Sequence, residues 1–144
     1  MIRSIAVIAL ALAGCGSKPA PTTTSPKPTT ADDQVAVCVA SMTKSRECTD
    51  DFIPALVDAR AQADAPPGVA DAVKNDRDGV IKQAMEEWKT DSQDANIRSR
   101  CEAMAADVHV ASEDLAATTD CNSKSDCKQF TSCTVPVVAK YFHK

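Results

Sequence analysis

The chain has 144 residues, enough for one domain, with a formal net charge of −4 and an aromatic content of 3%. This acidic balance and the scarcity of aromatic rings exclude the basic surface and the stacking platform on which nucleic-acid binding depends. Seven cysteines are the unusual feature of the composition, because proteins kept in reducing compartments seldom carry so many.

The first fourteen residues predict an export signal. One positive charge in the first four residues precedes an apolar run over residues 5–12, which is too short to cross a hydrocarbon core of ~30 Å. The run leads into Leu12-Ala13-Gly14-Cys15, which resembles the lipobox of bacterial lipoproteins. In that family the cysteine is lipidated and becomes the first residue of the mature chain. The resemblance covers residues 1–17 and carries no implication for the domain that follows.

The residues after the cysteine bear on which membrane holds the lipid. In bacterial lipoproteins an Asp directly after the lipidated cysteine favours retention in the inner membrane, whereas here Gly16 and Ser17 follow Cys15. The resemblance therefore implies an anchor in the cell envelope, at the outer membrane facing the periplasm or the exterior if the source is Gram-negative. The alternative is an ordinary secretory signal in which Cys15 is incidental.

Residues 16–30 predict a flexible linker. They read GSKPAPTTTSPKPTT, with four prolines and five threonines and almost nothing apolar to bury. In polyproline II geometry such a tether reaches up to about 45 Å. It is either a spacer through an envelope layer or a solvated leash of no particular length. The chain thus divides into a signal peptide (1–14), a lipidated cysteine with its linker (15–30) and a domain (31–144).

Six cysteines lie in the domain, and an even number in an exported chain predicts three disulfides. On one helix, Cys127 and Cys133 would be about 9 Å apart, beyond the range that a disulfide spans. Cys38 and Cys48 are excluded as partners for the same reason. The last helix is therefore expected to be tied at two points to different partners, and the remaining pairings stay open. The six are Cys38, Cys48, Cys101, Cys121, Cys127 and Cys133.

Apolar residues at helical spacing predict an all-α domain. The first helix has Asp32 and Asp33 as candidate caps, and the second opens after Cys48 with Pro54 in its first turn and ends at Pro66-Pro67-Gly68. A third helix is interrupted at Asp78-Gly79. The apolar positions of these three helices are Val35, Cys38, Val39 and Met42; Phe52, Leu56, Ala59 and Ala63; and Val69, Val73, Val80, Ala84 and Trp88.

Two further helices complete the prediction. The fourth starts at Ser92 and carries Ile97, Cys101, Met104, Ala105 and Val108 on one face, and a short fifth starts near Ser125 and restarts at residues 134–136. The apolar end at Tyr141 and Phe142 is expected to dock against the core; the alternative is a patch for a partner. We therefore expect a small four- to five-helix bundle cross-linked by about three disulfides, behind a cleaved signal and a disordered tether.

Catalytic signatures do not occur in the sequence. There is no Cys-x-x-Cys for thiol redox chemistry, and there are no short cysteine pairs typical of structural zinc. Neither His109 nor His143 has a second ligand nearby, and the G-x-S-x-G and H-E-x-x-H motifs do not occur. We predict no catalytic residue, no metal and no cofactor.

One stretch comes close to a calcium-binding loop. Residues 74–85 match the EF-hand pattern at Asp76, Asp78 and Gly79. However, Lys74 stands at the first ligand position and Met85 at the bidentate one, and calcium needs six to eight oxygens. An acidic helix or turn accounts for the match more simply.

These features predict a membrane-tethered helical module of the bacterial cell envelope, which binds an envelope partner or has a structural role. The chain is attached to the membrane through the lipid on Cys15. A small-ligand or calcium-binding periplasmic domain is the alternative, with Asp76 and Asp78 as its best candidate residues. A thiol-redox protein is a third interpretation, and it requires free thiols among the six cysteines of the domain.

Overall fold

A computed structural model describes residues 30–142, which form six helices. No strand occurs in this range, so the all-α, disulfide-cross-linked class is confirmed with one helix more than expected. The signal peptide, Cys15 and the linker up to residue 29 lie outside the described residues, as does His143. The helices are α1 (Ala31–Glu47), α2 (Thr49–Ala63), α3 (Val69–Asp91), α4 (Asp94–Asp107), α5 (Ser112–Asn122) and α6 (Cys127–Ala139).

A capping box starts α1. Thr30 Oγ1 accepts a hydrogen bond from the Asp33 amide at 3.2 Å, and Asp33 Oδ2 accepts one from the Thr30 amide at 3.1 Å. The predicted caps Asp32 and Asp33 were therefore too late, because Asp33 is the returning partner of the box and Thr30 is the cap itself. Asp32 stands in the first turn, where a negative charge stabilises the helix dipole.

Pro54 lies in the second turn of α2, not the first. The helix begins at Thr49, so Pro54 stands inside it and has no N–H to donate to the carbonyl of Asp50. Helix α2 ends at Ala63, just before the predicted turn residues Pro66-Pro67-Gly68. Asp64 adopts a left-handed conformation with φ of 48°, and its Oδ1 accepts hydrogen bonds from the amides of Gly68 at 2.9 Å and Ala70 at 3.1 Å.

The predicted interruption of α3 is present, but two residues earlier than Asp78-Gly79. Asp76 has non-helical torsions (φ −152°, ψ 76°), and its Oδ1 accepts a hydrogen bond from the Gly79 amide at 2.9 Å. This is the geometry of an N-cap, so Asp76 ends one helical segment and caps the next.

Helix α5 was missed, and the predicted fifth helix corresponds to α6. Asp126 caps α6 through a 2.9 Å hydrogen bond that its Oδ1 accepts from the Gln129 amide. The expected restart at residues 134–136 is wrong, because the helix runs through Pro136 without a break. Pro136 lacks only the one N–H that would face the carbonyl of Ser132.

The apolar core lies among α2, α3 and α6, which we call the apolar half. Helix α3 contributes only half-buried side chains to this core. Among them, Trp88 packs against the buried cluster and donates a hydrogen bond to Thr49 Oγ1 at 3.1 Å. No helix within residues 30–142 is long and apolar enough to span a membrane. The buried cluster consists of Cys48, Phe52, Ile53, Val57, Phe130 and Val135.

Helices α1, α4 and α5 form the polar half. Helix α1 packs on α4 and α5, and α5 packs on α6, which joins the two halves. The buried residues of α1 are Gln34, Ser41 and Ser45, while its predicted apolar face is only half-buried. On α4, Ile97 and Cys101 are buried as predicted, but Met104 is 39% exposed and was wrongly placed in the core.

Candidate functional sites

Three disulfides tie the helices together. Cys38 pairs with Cys101, Cys48 with Cys127, and Cys121 with Cys133, with Cα–Cα distances of 5.7, 5.2 and 5.4 Å. The two pairs excluded by helix geometry are indeed not formed. Helix α6 is tied at two points to different partners, as predicted, through its first residue to Cys48 and through Cys133 to α5.

Each disulfide has one deeply buried sulfur partner. Cys101 and Cys121 are fully buried and Cys48 is 3% exposed, whereas their three partners are half-buried. A reactive redox cysteine is usually accessible and lies in an electropositive setting. In each bridge the half-buried cysteine is therefore the more accessible partner.

The calcium-like stretch is part of α3. Asp76 Oδ1 is used as a helix cap for Gly79, and the Asp78 side chain is 98% exposed. Met85 packs against the apolar core. His109 is exposed between α4 and α5. Within the described residues, no three His, Cys, Asp or Glu side chains are grouped closely enough to hold a metal ion.

A cleft lies between α1 and α4. It has a volume of about 550 Å³ and is open to solvent, with Val39 and Thr43 on the α1 side and Ile97 on the α4 side. Arg98 and Glu102 also line it, and they form an ion pair with each other at 3.2 Å. The combination of an apolar floor with a few polar groups is typical of binding sites in general.

Arg46 binds Asp94, which lines this cleft. Its Nη1 donates to the carbonyl of Ser92 at 2.7 Å and to Asp94 Oδ1 at 2.7 Å. The guanidinium thus satisfies the carbonyl at the end of α3 and holds the start of α4 against α1. The sequence pattern does not indicate this role, because an arginine in the last turn of a helix is already accounted for by its favourable interaction with the helix dipole.

A second hollow, of about 320 Å³, lies between α2 and α6. Ala55, Val135 and Pro136 give it an apolar lining, and Thr131 also lines it. Thr131 is 6% exposed, and its Oγ1 has no hydrogen-bond partner. Nothing else in the hollow distinguishes one class of ligand from another.

A polar clasp holds the C-terminal end of the domain. Asp114 on α5 is 6% exposed and accepts hydrogen bonds from Lys140 Nζ at 2.6 Å and from Tyr141 Oη at 2.7 Å. Tyr141 Oη also accepts one from the Ala111 amide at 3.2 Å. Phe142 lies beneath the Arg60 guanidinium, 5.7 Å from the ring centre. Tyr141 and Phe142 are therefore held by hydrogen bonds and a cation–π contact, and not by the apolar core against which they were expected to dock.

The shifted pKa values belong to groups that join helices or helix turns. Burial, followed by the hydrogen bond to Asp114, raises the pKa of Tyr141, and the same carboxylate raises the pKa of Lys140. The Arg77 guanidinium lowers the pKa of Asp58 through two hydrogen bonds of 2.8 and 2.7 Å between α3 and α2. These shifts arise from contacts that hold the helices together.

Gln34 is a second buried contact that the sequence pattern did not reveal. Its Nε2 donates to the Val108 carbonyl at 2.6 Å, and its Oε1 accepts from the Val110 amide at 3.3 Å. The only signal was its helical spacing with Ser41 and Ser45, which makes a buried polar stripe along α1. The stripe fixes the segment between α4 and α5.

Comparison with family models, with curated proteins and with solved structures finds no match for this chain.

Proposed function

We propose that this chain is a lipid-anchored helical module of the bacterial cell envelope that binds a partner or supports envelope structure without catalysing a reaction. The observation that carries the proposal is that all six cysteines within residues 30–142 form disulfides. Disulfides at this density are typical of exported proteins, because the cytosol keeps thiols reduced. The lipobox-like sequence ending at Cys15 supplies both a route of export and an anchor.

The proposed location follows from the residues around the anchor. Gly16 and Ser17 favour the outer membrane of a Gram-negative cell, and the linker up to residue 30 separates the domain from the lipid. A chain with a single acyl group binds membranes weakly, so stable attachment requires the several acyl chains that a lipoprotein cysteine carries.

A non-catalytic role is supported by how the polar groups are used. Asp114, Asp58 and Arg46 all bind side chains or carbonyls in other parts of the bundle. Their charged groups therefore stabilise the packing of the helices. The α1–α4 cleft is the best-formed surface for contact with an envelope protein. It also favours the alternative function, a small-ligand domain, because its volume falls within the range of known ligand sites.

Lipid attachment is tested by expressing the full chain in a Gram-negative host fed an alkyne analogue of palmitate. The proposal predicts labelled protein in the outer-membrane fraction, with the label lost in Cys15→Ser. Ser17→Ala is the matched control and should label normally. A wild-type chain that is exported and cleaved but never labelled would contradict the lipid anchor.

The small-ligand and calcium alternatives are tested by thermal unfolding with and without calcium. A binding partner specific for the folded state raises the midpoint in a concentration-dependent way. We expect no shift with calcium, because Lys74 and Met85 occupy two ligand positions of the pattern. A shift that disappears in Asp76→Asn/Asp78→Asn would support the calcium-binding alternative.

A further inference from the structure

We propose that the Cys38–Cys101 disulfide is a redox latch for α4, whose reduction releases this helix from α1 while α2, α3 and α6 remain folded. The proposal goes beyond an envelope module, because it gives the domain two states that differ in exposed surface. It applies to the folded domain whether or not Cys15 carries lipid.

Helix α4 packs along α1 but buries few apolar side chains. Of its 14 residues, only Ile97 and Cys101 are buried, and Met104 on the expected core face is 39% exposed. The cleft of about 550 Å³ separates part of α4 from α1. Segments with few buried apolar contacts open at low free-energy cost, independently of the global transition.

The ion pairs of α4 stabilise its position less than buried apolar contacts would. Asp94, which pairs with Arg46, has an 87% exposed side chain, and Arg100 pairs with Asp91 at the surface. Ion pairs at such exposure contribute little, on the order of 0–1 kcal/mol. The bridge between Cys38 and Cys101 is the covalent tie between α4 and α1, and beside it Arg46 and Gln34 donate hydrogen bonds to the carbonyls of Ser92 and Val108 at the two ends of α4.

The other two bridges hold helices that are also held in other ways. Cys48 belongs to the apolar cluster with Phe52 and Phe130, so α2 and α6 remain packed when its bridge to Cys127 opens. Cys121 and Cys133 join neighbouring helices that the Asp114 clasp also connects. Reduction of either bridge frees no helix.

The chemistry needs a dithiol reductant, which the proposal names as the second reactant. One thiolate of the dithiol attacks Sγ of the half-buried Cys38, the bond to Cys101 breaks, and the Cys101 sulfur leaves with the electron pair and takes up a proton. The second thiol loses its proton and attacks the mixed disulfide, and Cys38 leaves as a thiolate that is then protonated. The bridge gains two electrons and two protons, and the dithiol becomes a disulfide.

Release changes the surface that the domain presents. Ile97 is 1% exposed in the oxidised form and covers α1 near Val39. When α4 moves away, Ile97 and the apolar residues of α1 become accessible together. The reduced and oxidised forms thus differ in their exposed apolar surface.

The test is graded reduction of the purified full chain. Samples taken at increasing dithiothreitol are alkylated and peptide-mapped, and parallel samples are analysed by amide hydrogen exchange. We expect Cys38 and Cys101 to be alkylated before the other four cysteines. In those samples the α4 amides should exchange at least about tenfold faster, with α2 and α6 changing less than about twofold.

Two double variants serve as matched controls. Cys38→Ser/Cys101→Ser should reproduce the fast exchange of α4 without reductant, and Cys121→Ser/Cys133→Ser should leave α4 unchanged. If the first variant does not fold, the reduction series on the wild-type chain decides. The latch is overturned if another bridge opens first, if all three open together, or if α4 keeps its protection after Cys38 and Cys101 are reduced.

Discussion

At the scale of single residues, Gly79 and Asp76 show how one side chain dictates the identity of another. A Cβ built on Gly79 would lie 2.1 Å from Asp76 Oδ2. The capping carboxylate occupies the space that any other residue at position 79 would need. The sequence pattern detected this pair only as a break signal, because the capping role of Asp76 depends on torsions that spacing does not reveal.

We therefore predict that the effect of Gly79→Ala on the free energy of unfolding changes sign with the residue at position 76. In the wild-type chain it should destabilise by about 1 kcal/mol or more, because the cap is displaced. In an Asp76→Ala background it should stabilise by up to about 1 kcal/mol, because alanine is the better helix former. Urea unfolding of the four proteins measures both effects.

Gly68 provides the control for this cycle. Its φ is +91° and its Cβ position is open, so Gly68→Ala should destabilise equally in both backgrounds. Equal effects of Gly79→Ala in the two backgrounds would show that the contact with Asp76 does not constrain position 79.

The Asp58–Arg77 pair makes stability depend on acid pH. The folded state lowers the pKa of Asp58 from its usual value of 3.8, so the stabilisation is present at neutral pH and is lost as pH falls through the folded pKa. Because both side chains are about 40% exposed, the effect should be below about 1 kcal/mol and weaker in high salt. Asp58→Asn should flatten the stability profile between roughly pH 5 and pH 2.

An identical profile for wild type and Asp58→Asn would exclude a contribution from the pair.

At the scale of helices, apolar residues at helical spacing predicted α1–α4 and α6 but missed α5. Helix α2 buries Phe52 and Val57, so its pattern was readable. Helix α5 buries Asp114 and Cys121 with Leu115, and its helical character depends on contacts with residues distant in sequence. The partners of its Asp114 are Lys140 and Tyr141, which directly follow α6.

The clasp between α5 and α6 makes a prediction in alkaline solution. The chain contains one tyrosine, so an absorbance titration reports Tyr141 alone. Its pKa should lie above 10.0 in the folded protein, first because of burial and second because of Asp114. Since the folded pKa is raised, the stabilisation is present below the unfolded value and is lost as pH rises through the folded pKa.

Asp114→Asn should lower the pKa of Tyr141 part of the way and destabilise the protein by about 1–3 kcal/mol, because a buried hydrogen-bonded carboxylate is lost. Tyr141→Phe should cost about 1 kcal/mol, and the two effects should not add, because they share a bond. An ordinary tyrosine pKa in the folded wild type would contradict the clasp.

At the scale of the whole molecule, the composition predicted the class of the fold better than its internal division. Cysteine number and helical spacing indicated a stapled all-α domain, and helix geometry correctly excluded two pairings. The sequence did not reveal that the apolar core would gather in α2, α3 and α6. That division depends on which helix faces pack against each other. In the polar half, the buried positions of α1 are occupied by Gln34, Ser41 and Ser45 in place of apolar side chains.

The candidate sites were less predictable than the fold. The α1–α4 cleft is formed by residues such as Val39, Thr43 and Glu102, which carry no motif and meet only in three dimensions. Asp76 and Asp78 matched a calcium-binding motif, but Asp76 caps a helical segment and the Asp78 side chain is exposed to solvent.

The most direct test of the account is the intact mass of the purified mature chain after alkylation, with and without prior reduction. We predict no adduct before reduction and six after, because the proposed lipid anchor blocks the sulfur of Cys15 and the other six cysteines are paired. Peptide mapping should then recover the bridges 38–101, 48–127 and 121–133. A single adduct on Cys15 would remove the lipid anchor and leave the staples intact. Two or more free thiols in the folded protein would contradict the stapled domain itself.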